Sequence, residues 1–140
     1  MINEFRGENY FLSNFFNAPV MYQGLMYKNN EAAFQSAKVL DIETRKQFCN
    51  LDPSSAKRKG RQVKLRKDWE DVKVSIMEEI VRDKFTRNEE LAQKLIKTGN
   101  LKLIEGNTWN DKYWGVCNGY GLNVLGAILM KVRSELQDLT

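Results

Sequence analysis

Apolar residues recur at helical spacing along the second half of the 140-residue chain. A first stripe predicts a long helix over residues 69–86, with Asp68 as its N-cap. A second stripe predicts a helix over 89–97 that Asn88 caps, and a third predicts a last helix that starts at Asn123. The stripes consist of Val72, Ile76 and Ile80; of Leu91, Leu95 and Ile96; and of Leu125, Ile128, Leu129, Val132 and Leu136. We expect these helices to form core architecture.

Shorter elements precede and interrupt this helical part. A β-hairpin is predicted over residues 20–27, where two short strand-like segments flank the turn residue Gly24. Short helices are predicted over 42–50 and 54–60, and a strand over 101–105. A chain of 140 residues is long enough to bury a core and suits one domain.

The segment after the hairpin carries the first candidate chemistry. Asn30 is a favourable N-cap, and the residues that follow it favour a helix over 31–40. Glu31, Gln35 and Lys38 then share one face, at positions i, i+4 and i+7. Such a face is either solvated or directed into a pocket, where an acid and an amine suit acid–base or Schiff-base chemistry. The pattern alone leaves both interpretations open.

Composition narrows the class of protein. Hydrophobic residues make up 42% of the chain and charged residues 29%, as in ordinary soluble globular proteins. The first ten residues lack the layout of a signal peptide, and no apolar run approaches the roughly 18 residues of a membrane-spanning helix. We therefore predict a soluble cytoplasmic protein without a membrane partner. Cys49 and Cys117 are too few for a disulfide scaffold or a zinc site, and we predict neither a metal nor a cofactor.

The chain contains no histidine. This excludes Ser-His-Asp and Cys-His nucleophile systems and histidine metal sites, so proton transfers fall to Asp, Glu, Lys, Tyr or the substrate. Neither a Walker A sequence nor G-x-G-x-x-G stands between a strand and a helix, so nucleotide binding by those loops has no support. A net charge of +4 mildly favours a partner that carries phosphate or is a nucleic acid.

The region of residues 5–16 is rich in aromatic side chains and contains a predicted turn. One interpretation is a segment that fills the core. The other is a pocket wall, in which Asn14 forms hydrogen bonds to a ligand and Phe15 stacks on a ring.

Residues 107–121 form a second aromatic segment, rich in Asn and Gly. Its rings surround Asp111 and belong to Trp109, Tyr113 and Trp114. Because such a loop is costly to leave in water, the rings either anchor the core or stack on a ligand. Gly115 permits close backbone approach, and the free N–H groups of the helix that starts at Asn123 suit a phosphate. Here the functional interpretation is favoured.

Seven of the eleven residues from Lys57 to Lys67 are basic. They are Lys57, Arg58, Lys59, Arg61, Lys64, Arg66 and Lys67. A charge run is usually a solvated face, but this density favours a phosphate-binding patch.

Five short motifs follow one another through nearly the whole chain. They are Leu12-Ser13-Asn14-Phe15, Glu31-Ala-Ala-Phe-Gln-Ser-Ala-Lys38, Arg66-Lys-Asp-Trp-Glu70, Asn110-Asp-Lys-Tyr-Trp-Gly115 and Gly121-Leu-Asn-Val-Leu-Gly126. Each motif is weak alone, but together, in this order and spacing, they resemble the NADAR family, also called YbiA-like.

The resemblance implies an α+β, mainly α-helical single domain over residues 1–140, with a few short strands, that acts on N-glycosidic bonds of ribose. Family members are described as N-glycosidases of ribosylamino intermediates of the riboflavin pathway and as glycohydrolases that remove ADP-ribose from guanine bases. One departure is that many members carry histidine directly after the glutamate of the second motif, where this chain has Ala32. Any role of that histidine elsewhere cannot operate here.

Two catalytic routes follow for cleavage of a ribose C1′–N bond. In the first, Glu31 and Asp111 supply a carboxylate near the sugar and a group that protonates the leaving nitrogen. In the second, Lys38 attacks C1′ and passes through an imine, which requires a partly deprotonated amine. The sequence leaves both routes open.

Substrate-binding roles fall on residues around this face. Gln35 would hold a ribose hydroxyl, Arg61 and its basic neighbours a phosphate or pyrophosphate, and aromatic rings the base or sugar. The predicted substrate-binding residues are Asn14, Phe15, Gln35, Arg61, Trp69, Trp114, Gly115 and Asn123. The predicted partner is a small-molecule ribosyl phosphate or an ADP-ribosyl substrate, the latter including ADP-ribosylated nucleic acid. The alternative is a non-catalytic ADP-ribose or nucleic-acid binding module, in which Glu31 would oppose an anionic ligand.

Overall fold

The chain folds into six α-helices, one 3₁₀ helix and four short β-strands in a computed structural model that describes residues 1–140. About 49% of the residues are helical and 13% lie in strands, which confirms the predicted α+β, mainly α-helical class. The helices are the 3₁₀ helix Gly7–Leu12, α1 Asn30–Ser36, α2 Ile42–Lys46, α3 Pro53–Gly60, α4 Trp69–Arg87, α5 Glu89–Lys97 and α6 Val124–Asp138. The strands are β1 Asn17–Tyr22, β2 Leu25–Asn29, β3 Gly106–Asn107 and β4 Val116–Cys117.

Two units make up the chain, residues 14–88 and residues 1–13 together with 89–140. The single domain over residues 1–140 stays a prediction. None of the helices combines the length and the apolar character that crossing a bilayer requires.

The unit of residues 14–88 begins with the predicted hairpin. Strands β1 and β2 pair antiparallel, with Tyr22 opposite Leu25 across the turn. The two turn residues, Gln23 and Gly24, have φ of 45° and 85°, and positive φ at both positions is what a two-residue hairpin turn requires. Burial alternates along β1, with Val20 fully buried, and α4 packs on this strand. The hairpin leads directly into α1.

The start of α1 differs from the prediction by one residue. Asn29, rather than Asn30, is the N-cap, and its side-chain oxygen accepts from the backbone N–H of Ala32 at 2.8 Å. The reason is that Asn29 still has extended backbone angles as the last residue of β2, whereas Asn30 is already helical. The hairpin therefore fixes where the helix begins.

The end of α1 also differs, since the helix ends at Ser36 rather than near residue 40. The carbonyl of Lys38 accepts from the backbone N–H of Arg66 at 2.8 Å, and the carbonyl of Ala37 accepts from Arg66 Nη1 at 3.4 Å. Past Ser36 the N–H groups of Lys38 and Val39 donate to the carbonyls of Gln35 and Ser36, three residues earlier, at 3.2 and 3.3 Å, so the α-helical pattern stops there. Helix α2 likewise ends early, at Lys46.

Helix α4 confirms the predicted long helix, with Ile76 and Ile80 buried. Asp68 occupies the N-cap position as predicted, but its side chain makes no capping hydrogen bond. Asp68 instead accepts from Arg66 Nε at 2.6 Å and from Nη2 at 3.1 Å. A bidentate guanidinium is a stronger partner for a carboxylate than a neutral N–H group.

Two further helix ends lie in the same unit. Pro53 occupies the first turn of α3, and the Asp52 side chain caps that helix by accepting from Ser55 N at 3.2 Å. Asn88 Nδ2 donates to the carbonyl of Lys84 at 2.7 Å and so satisfies an end of α4. The predicted cap of Asn88 on α5 stays a prediction.

In the other unit, α5 packs against α6, and both helices lie where the apolar stripes predict them. The predicted strand over 101–105 is wrong, because only Leu103 forms a bridge, in parallel with Ile2. The stripe of α6 is buried as predicted. Asn123 precedes α6 with φ of 56°, and Gly126 packs so closely that a Cβ there would lie 2.2 Å from the Leu103 carbonyl oxygen.

Candidate active site

The first turns of α1 bury polar side chains. Glu31 is 9% exposed and Gln35 is 6% exposed, which excludes the solvated interpretation for these two positions. The backbone N–H of Glu31 donates to the Asn14 carbonyl at 3.1 Å, and Asn14 Oδ1 accepts from Asn30 Nδ2 at 3.2 Å. Buried polar groups are normally paired in this way. The segment around Asn14 therefore lies against the turn that carries Glu31.

Glu31 and Gln35 are joined by a short hydrogen bond. Gln35 Nε2 donates to Glu31 Oε2 at 2.6 Å, across one turn of α1. Gly60, at the end of α3, packs against the same amide, and a Cβ at Gly60 would lie 1.8 Å from Gln35 Oε1. That oxygen is buried and has no hydrogen-bond partner within the protein. An acceptor of this kind suits a ligand hydroxyl.

Lys38 is partly buried just beyond the end of α1. Burial lowers the pKa of its amine below the usual value for lysine. The charge of Glu31 opposes this shift, whereas the charges of Arg61 and Lys57 lower the pKa further. The structure thus brings the predicted acid, amine and guanidinium within electrostatic reach of one another. A lysine with a lowered pKa is a better nucleophile near neutral pH.

Two aromatic residues predicted to stack on a substrate lie in the same unit. Lys57 Nζ lies 6.0 Å from the ring centroid of half-buried Phe15, within the range of a cation–π contact. Trp69 is 6% exposed and packs on Phe34, with 5.1 Å between the ring centroids. This is a core contact, and stacking of Trp69 on a substrate stays a prediction.

The basic run does not form one uniform patch. Lys59 Nζ lies 5.7 Å from the ring centroid of Phe48, and Arg66 is bound to Asp68. The exposed cations of the run are Arg58, Arg61, Lys64 and Lys67. These four are the members available to an anion in solution.

In the other unit, Asp111 organises the aromatic loop. Its Oδ1 accepts from the backbone N–H groups of Tyr113 at 3.1 Å and Trp114 at 2.9 Å. The Asn107 side chain donates to the Asp111 carbonyl at 2.9 Å and accepts from the Asp111 N–H at 3.0 Å. The rings of Tyr113 and Trp114 meet edge to face, with centroids 5.0 Å apart. Asp111 therefore has a turn-forming role, and its catalytic role stays a prediction.

Glu105 is a residue of this loop region that the sequence analysis missed. Asn107 Nδ2 donates to Glu105 Oε2 at 3.0 Å, and a Cβ at Gly115 would lie 1.8 Å from the same oxygen. The close approach predicted for Gly115 is thus made to a carboxylate of the protein itself. The available signal was an acid two residues before the start of the segment 107–121.

The start of α6 is not open to a phosphate in the way predicted. The N–H groups of Val124 and Leu125 donate to the carbonyls of Tyr113 and Trp114 at 3.1 and 3.0 Å. The Asn123 side chain accepts from Glu105 N and donates to the Leu103 carbonyl, both at 2.9 Å. These groups hold the loop, and substrate binding by Asn123 stays a prediction.

The predicted site residues are divided between the two units. Residues 14–88 contain Asn14, Phe15, Glu31, Gln35, Lys38, Arg61 and Trp69, and the other unit contains Asp111, Trp114, Gly115 and Asn123. No three carboxylate or thiol side chains come together in a way that could hold a metal ion. The chemistry available in the unit of residues 14–88 is that of the buried acid Glu31 within electrostatic reach of the Lys38 amine, together with the unpaired amide oxygen of Gln35.

Known proteins are similar to this chain in fold and in sequence. The NADAR domain family matches residues 3–137 of the chain. The NMR structure of the Escherichia coli protein YbiA superposes with a TM-score of 0.85 and 34% sequence identity, covering 99% of this chain and 88% of that one.

Two curated relatives are similar over most of the chain. N-glycosidase YbiA of Shigella flexneri serotype 5b (strain 8401) is 40% identical over 128 residues, which are 89% of this chain and 79% of that protein. A riboflavin biosynthesis protein of Vibrio vulnificus (strain YJ016) is 37% identical over 132 residues, which are 91% of this chain. The matched part spans only 36% of the Vibrio protein.

Proposed function

This chain belongs to the NADAR domain family as a hydrolase acting on N-glycosyl bonds, and from that premise we propose that it cleaves the C1′–N bond of a phosphorylated ribosylamine. The first candidate substrate is a ribosylamino-pyrimidine phosphate of the riboflavin pathway, supported by the name of the Vibrio relative. The observation that carries the proposal is the buried Glu31–Gln35 pair within electrostatic reach of Lys38.

A second candidate substrate is ADP-ribosylated guanine. The observation in its favour is the set of four exposed cations between residues 58 and 67, which suits a pyrophosphate or a nucleic-acid backbone. Both candidates present a ribose N-glycoside beside phosphate, so the same side chains would serve either.

The Lys38 route uses the lowered pKa of its amine. The lone pair of neutral Nζ forms a bond to C1′, the C1′–N bond breaks, and the leaving nitrogen takes a proton. After the attack Nζ carries two protons. It loses one, which balances the proton on the leaving nitrogen, and it loses the other as the C1′–O4′ bond opens and O4′ takes a proton, which gives an imine between C1′ and Nζ. Water hydrolyses the imine, which frees the lysine and leaves the aldehyde form of the sugar. Glu31 is the nearby base that can accept and return these protons.

The carboxylate route needs no covalent intermediate. Glu31 would stabilise oxocarbenium-like charge on the sugar or activate water, and a second acid would protonate the leaving nitrogen. The catalytic role of Asp111 stays a prediction. Gln35 Oε1 would accept from a ribose hydroxyl in either route. Exposed Arg61 would bind the phosphate.

Turnover of defined substrates tests the proposal. Wild type, Glu31→Ala and Lys38→Met would be incubated with a ribosylamino-pyrimidine phosphate and, separately, with DNA that carries ADP-ribosylated guanine, and release of ribose 5-phosphate or ADP-ribose would be measured. We expect turnover of one substrate that Glu31→Ala abolishes, with Lys97→Met, an exposed lysine outside the basic run, as the unaffected control. Binding without turnover of either substrate would instead support the non-catalytic binding module.

The two routes are separated by borohydride. Reduction during turnover should trap a covalent sugar adduct on Lys38 in the imine route, detected by mass spectrometry of the peptide. Full activity of Lys38→Met would refute that route and leave the carboxylate route.

A further inference from the structure

Arg66 belongs to the basic run by sequence, but its guanidinium is engaged within the protein. Its side chain is 13% exposed, and it binds Asp68 through two parallel hydrogen bonds of 2.6 and 3.1 Å. These hydrogen bonds raise the pKa of Arg66 and lower that of Asp68, and the attraction between the two charges acts in the same direction. A guanidinium held in this way has few donors left for a ligand phosphate.

The same residue holds the chain at Lys38. The Arg66 backbone N–H donates to the Lys38 carbonyl at 2.8 Å, and Arg66 Nη1 donates to the Ala37 carbonyl at 3.4 Å. These contacts pair the carbonyls of Ala37 and Lys38, which have no intrahelical partners because α1 ends at Ser36. Asp68, directly before α4, binds the guanidinium that contacts the Ala37 carbonyl.

Arg66 does not act on Lys38 through charge in any resolved way. The charges that shift the pKa of Lys38 are those of Glu31, Arg61 and Lys57. The effect of Arg66 on Lys38 is therefore exerted through the backbone. It sets where the Lys38 side chain starts relative to Glu31, which lies seven residues earlier on α1.

We propose that Arg66, locked by Asp68, is a positioning residue that fixes the Lys38 amine beside Glu31. This inference rests on the proposed function, in which Lys38 reacts with the sugar. A displacement of a reacting group by about 1 Å can cost about 100-fold in rate. Loss of the Arg66 side-chain contacts should therefore lower kcat far more than it raises KM. A phosphate-binding arginine would behave in the opposite way, because its loss weakens substrate binding.

The steady-state test compares Arg66→Met, Arg66→Lys and Asp68→Asn, with Lys97→Met, an exposed lysine outside the basic run, as the control. We expect kcat to fall about 10- to 100-fold in Arg66→Met and less in Asp68→Asn, with KM changed by less than about threefold. Arg66→Lys should not restore kcat, because lysine cannot form the bidentate pair. A KM increase with unchanged kcat, or full rescue by lysine, would overturn the proposal.

A second measurement does not depend on turnover. Pyridoxal 5′-phosphate with cyanoborohydride labels deprotonated lysines, and mass spectrometry would follow labelling of Lys38 as a function of pH. In Arg66→Met the labelling midpoint of Lys38 should move up toward that of an ordinary lysine, because the released side chain becomes more exposed. An unchanged midpoint in a variant that keeps its melting temperature would overturn the proposal.

The two measurements distinguish a failure of the positioning role of Arg66 from a failure of the catalytic role of Lys38. If Lys38→Met keeps full activity while the labelling midpoint still moves in Arg66→Met, the positioning holds and the catalytic role of Lys38 fails. If Lys38→Met is inactive and Arg66→Met keeps its kcat, the catalytic role stands and the positioning fails.

Discussion

Gln35 Nε2 donates to Glu31 Oε2 at 2.6 Å, and both side chains are buried on the same face of α1. This bond uses one of the two amide hydrogens of Gln35 and directs the carboxylate. It leaves Gln35 Oε1 as an unpaired acceptor, which is costly in a folded protein unless a ligand compensates it.

Glu31→Gln should abolish activity without unfolding the protein. The substitution keeps the shape of the side chain but removes the carboxylate, so we expect kcat to fall by at least about 100-fold while the melting temperature stays equal or rises. Steady-state kinetics and thermal unfolding would be measured together, with exposed Glu70→Gln as the matched control. Retention of more than a tenth of the wild-type kcat would contradict the role of Glu31 in either route.

Gly60→Ala should disturb substrate binding through Gln35. The new methyl group would displace the Gln35 amide, because its carbon would lie 1.8 Å from Gln35 Oε1. We expect a loss of about 1–3 kcal/mol in the free energy of unfolding and a raised KM. Urea unfolding and kinetics would be compared with Ser54→Ala, an exposed position of the same helix. A variant with wild-type KM would show that the Gln35 amide does not contact the substrate.

Substitutions of Asp111 can separate its turn-forming role from catalysis. Asp111→Asn keeps a side-chain oxygen for the N–H groups of Tyr113 and Trp114, whereas Asp111→Ala removes it. If Asp111 protonates the leaving group, both variants should lose kcat by about 100-fold. If it only shapes the loop, Asp111→Asn should stay active and Asp111→Ala should lose stability. Kinetics and melting temperatures of the two variants decide between these results.

Lys84 should make stability depend on pH. Its side chain is 1% exposed beside the rings of Phe16 and Phe85, and burial lowers its pKa from 10.5 to about 7. Between pH 7 and 10.5 the unfolded chain therefore holds a proton that the folded chain has released. The free energy of unfolding should rise with pH in that window, by at most about 1.4 kcal/mol per pH unit from this group.

Urea unfolding of Lys84→Met at several pH values checks this dependence. The free energy of unfolding of the wild type, measured relative to Lys84→Met, should rise as the pH goes from 7 to 10, since only the wild type has the titrating group. Lys67→Met, which removes an exposed lysine, should follow the wild-type pH dependence. Parallel curves for Lys84→Met and wild type would contradict the prediction.

Sequence patterns predicted those parts of the fold that depend on neighbouring residues. The hairpin around Gly24 and the stripe of α4 follow from turn geometry and helical periodicity, and both are present. The end of α1 and the cap of α4 could not be predicted. Arg66, which lies 28 residues after Lys38 along the chain, pairs with the carbonyls just beyond the end of α1 and with the acid that would have capped α4.

The site was predictable to a similar extent. Glu31, Gln35 and Lys38 are spaced for one face, but only burial distinguishes a solvated face from a reactive one. The role of Glu105 was hidden, because a half-buried acid against Gly115 is a tertiary contact with no periodic signal. The free N–H groups expected at α6 were lost for the same reason, since loop carbonyls occupy them.

The division of the basic run has a consequence for salt dependence. Seven cations along residues 57–67 would release about six counterions on meeting a duplex, but the four exposed ones would release about three or four. A plot of log affinity against log salt concentration for any polyanion should therefore be shallower than a count of lysines and arginines suggests. The partial burial of Lys57 and Lys59 and the Arg66–Asp68 pair thereby leave this segment with a weaker attraction for a polyanion than its composition implies.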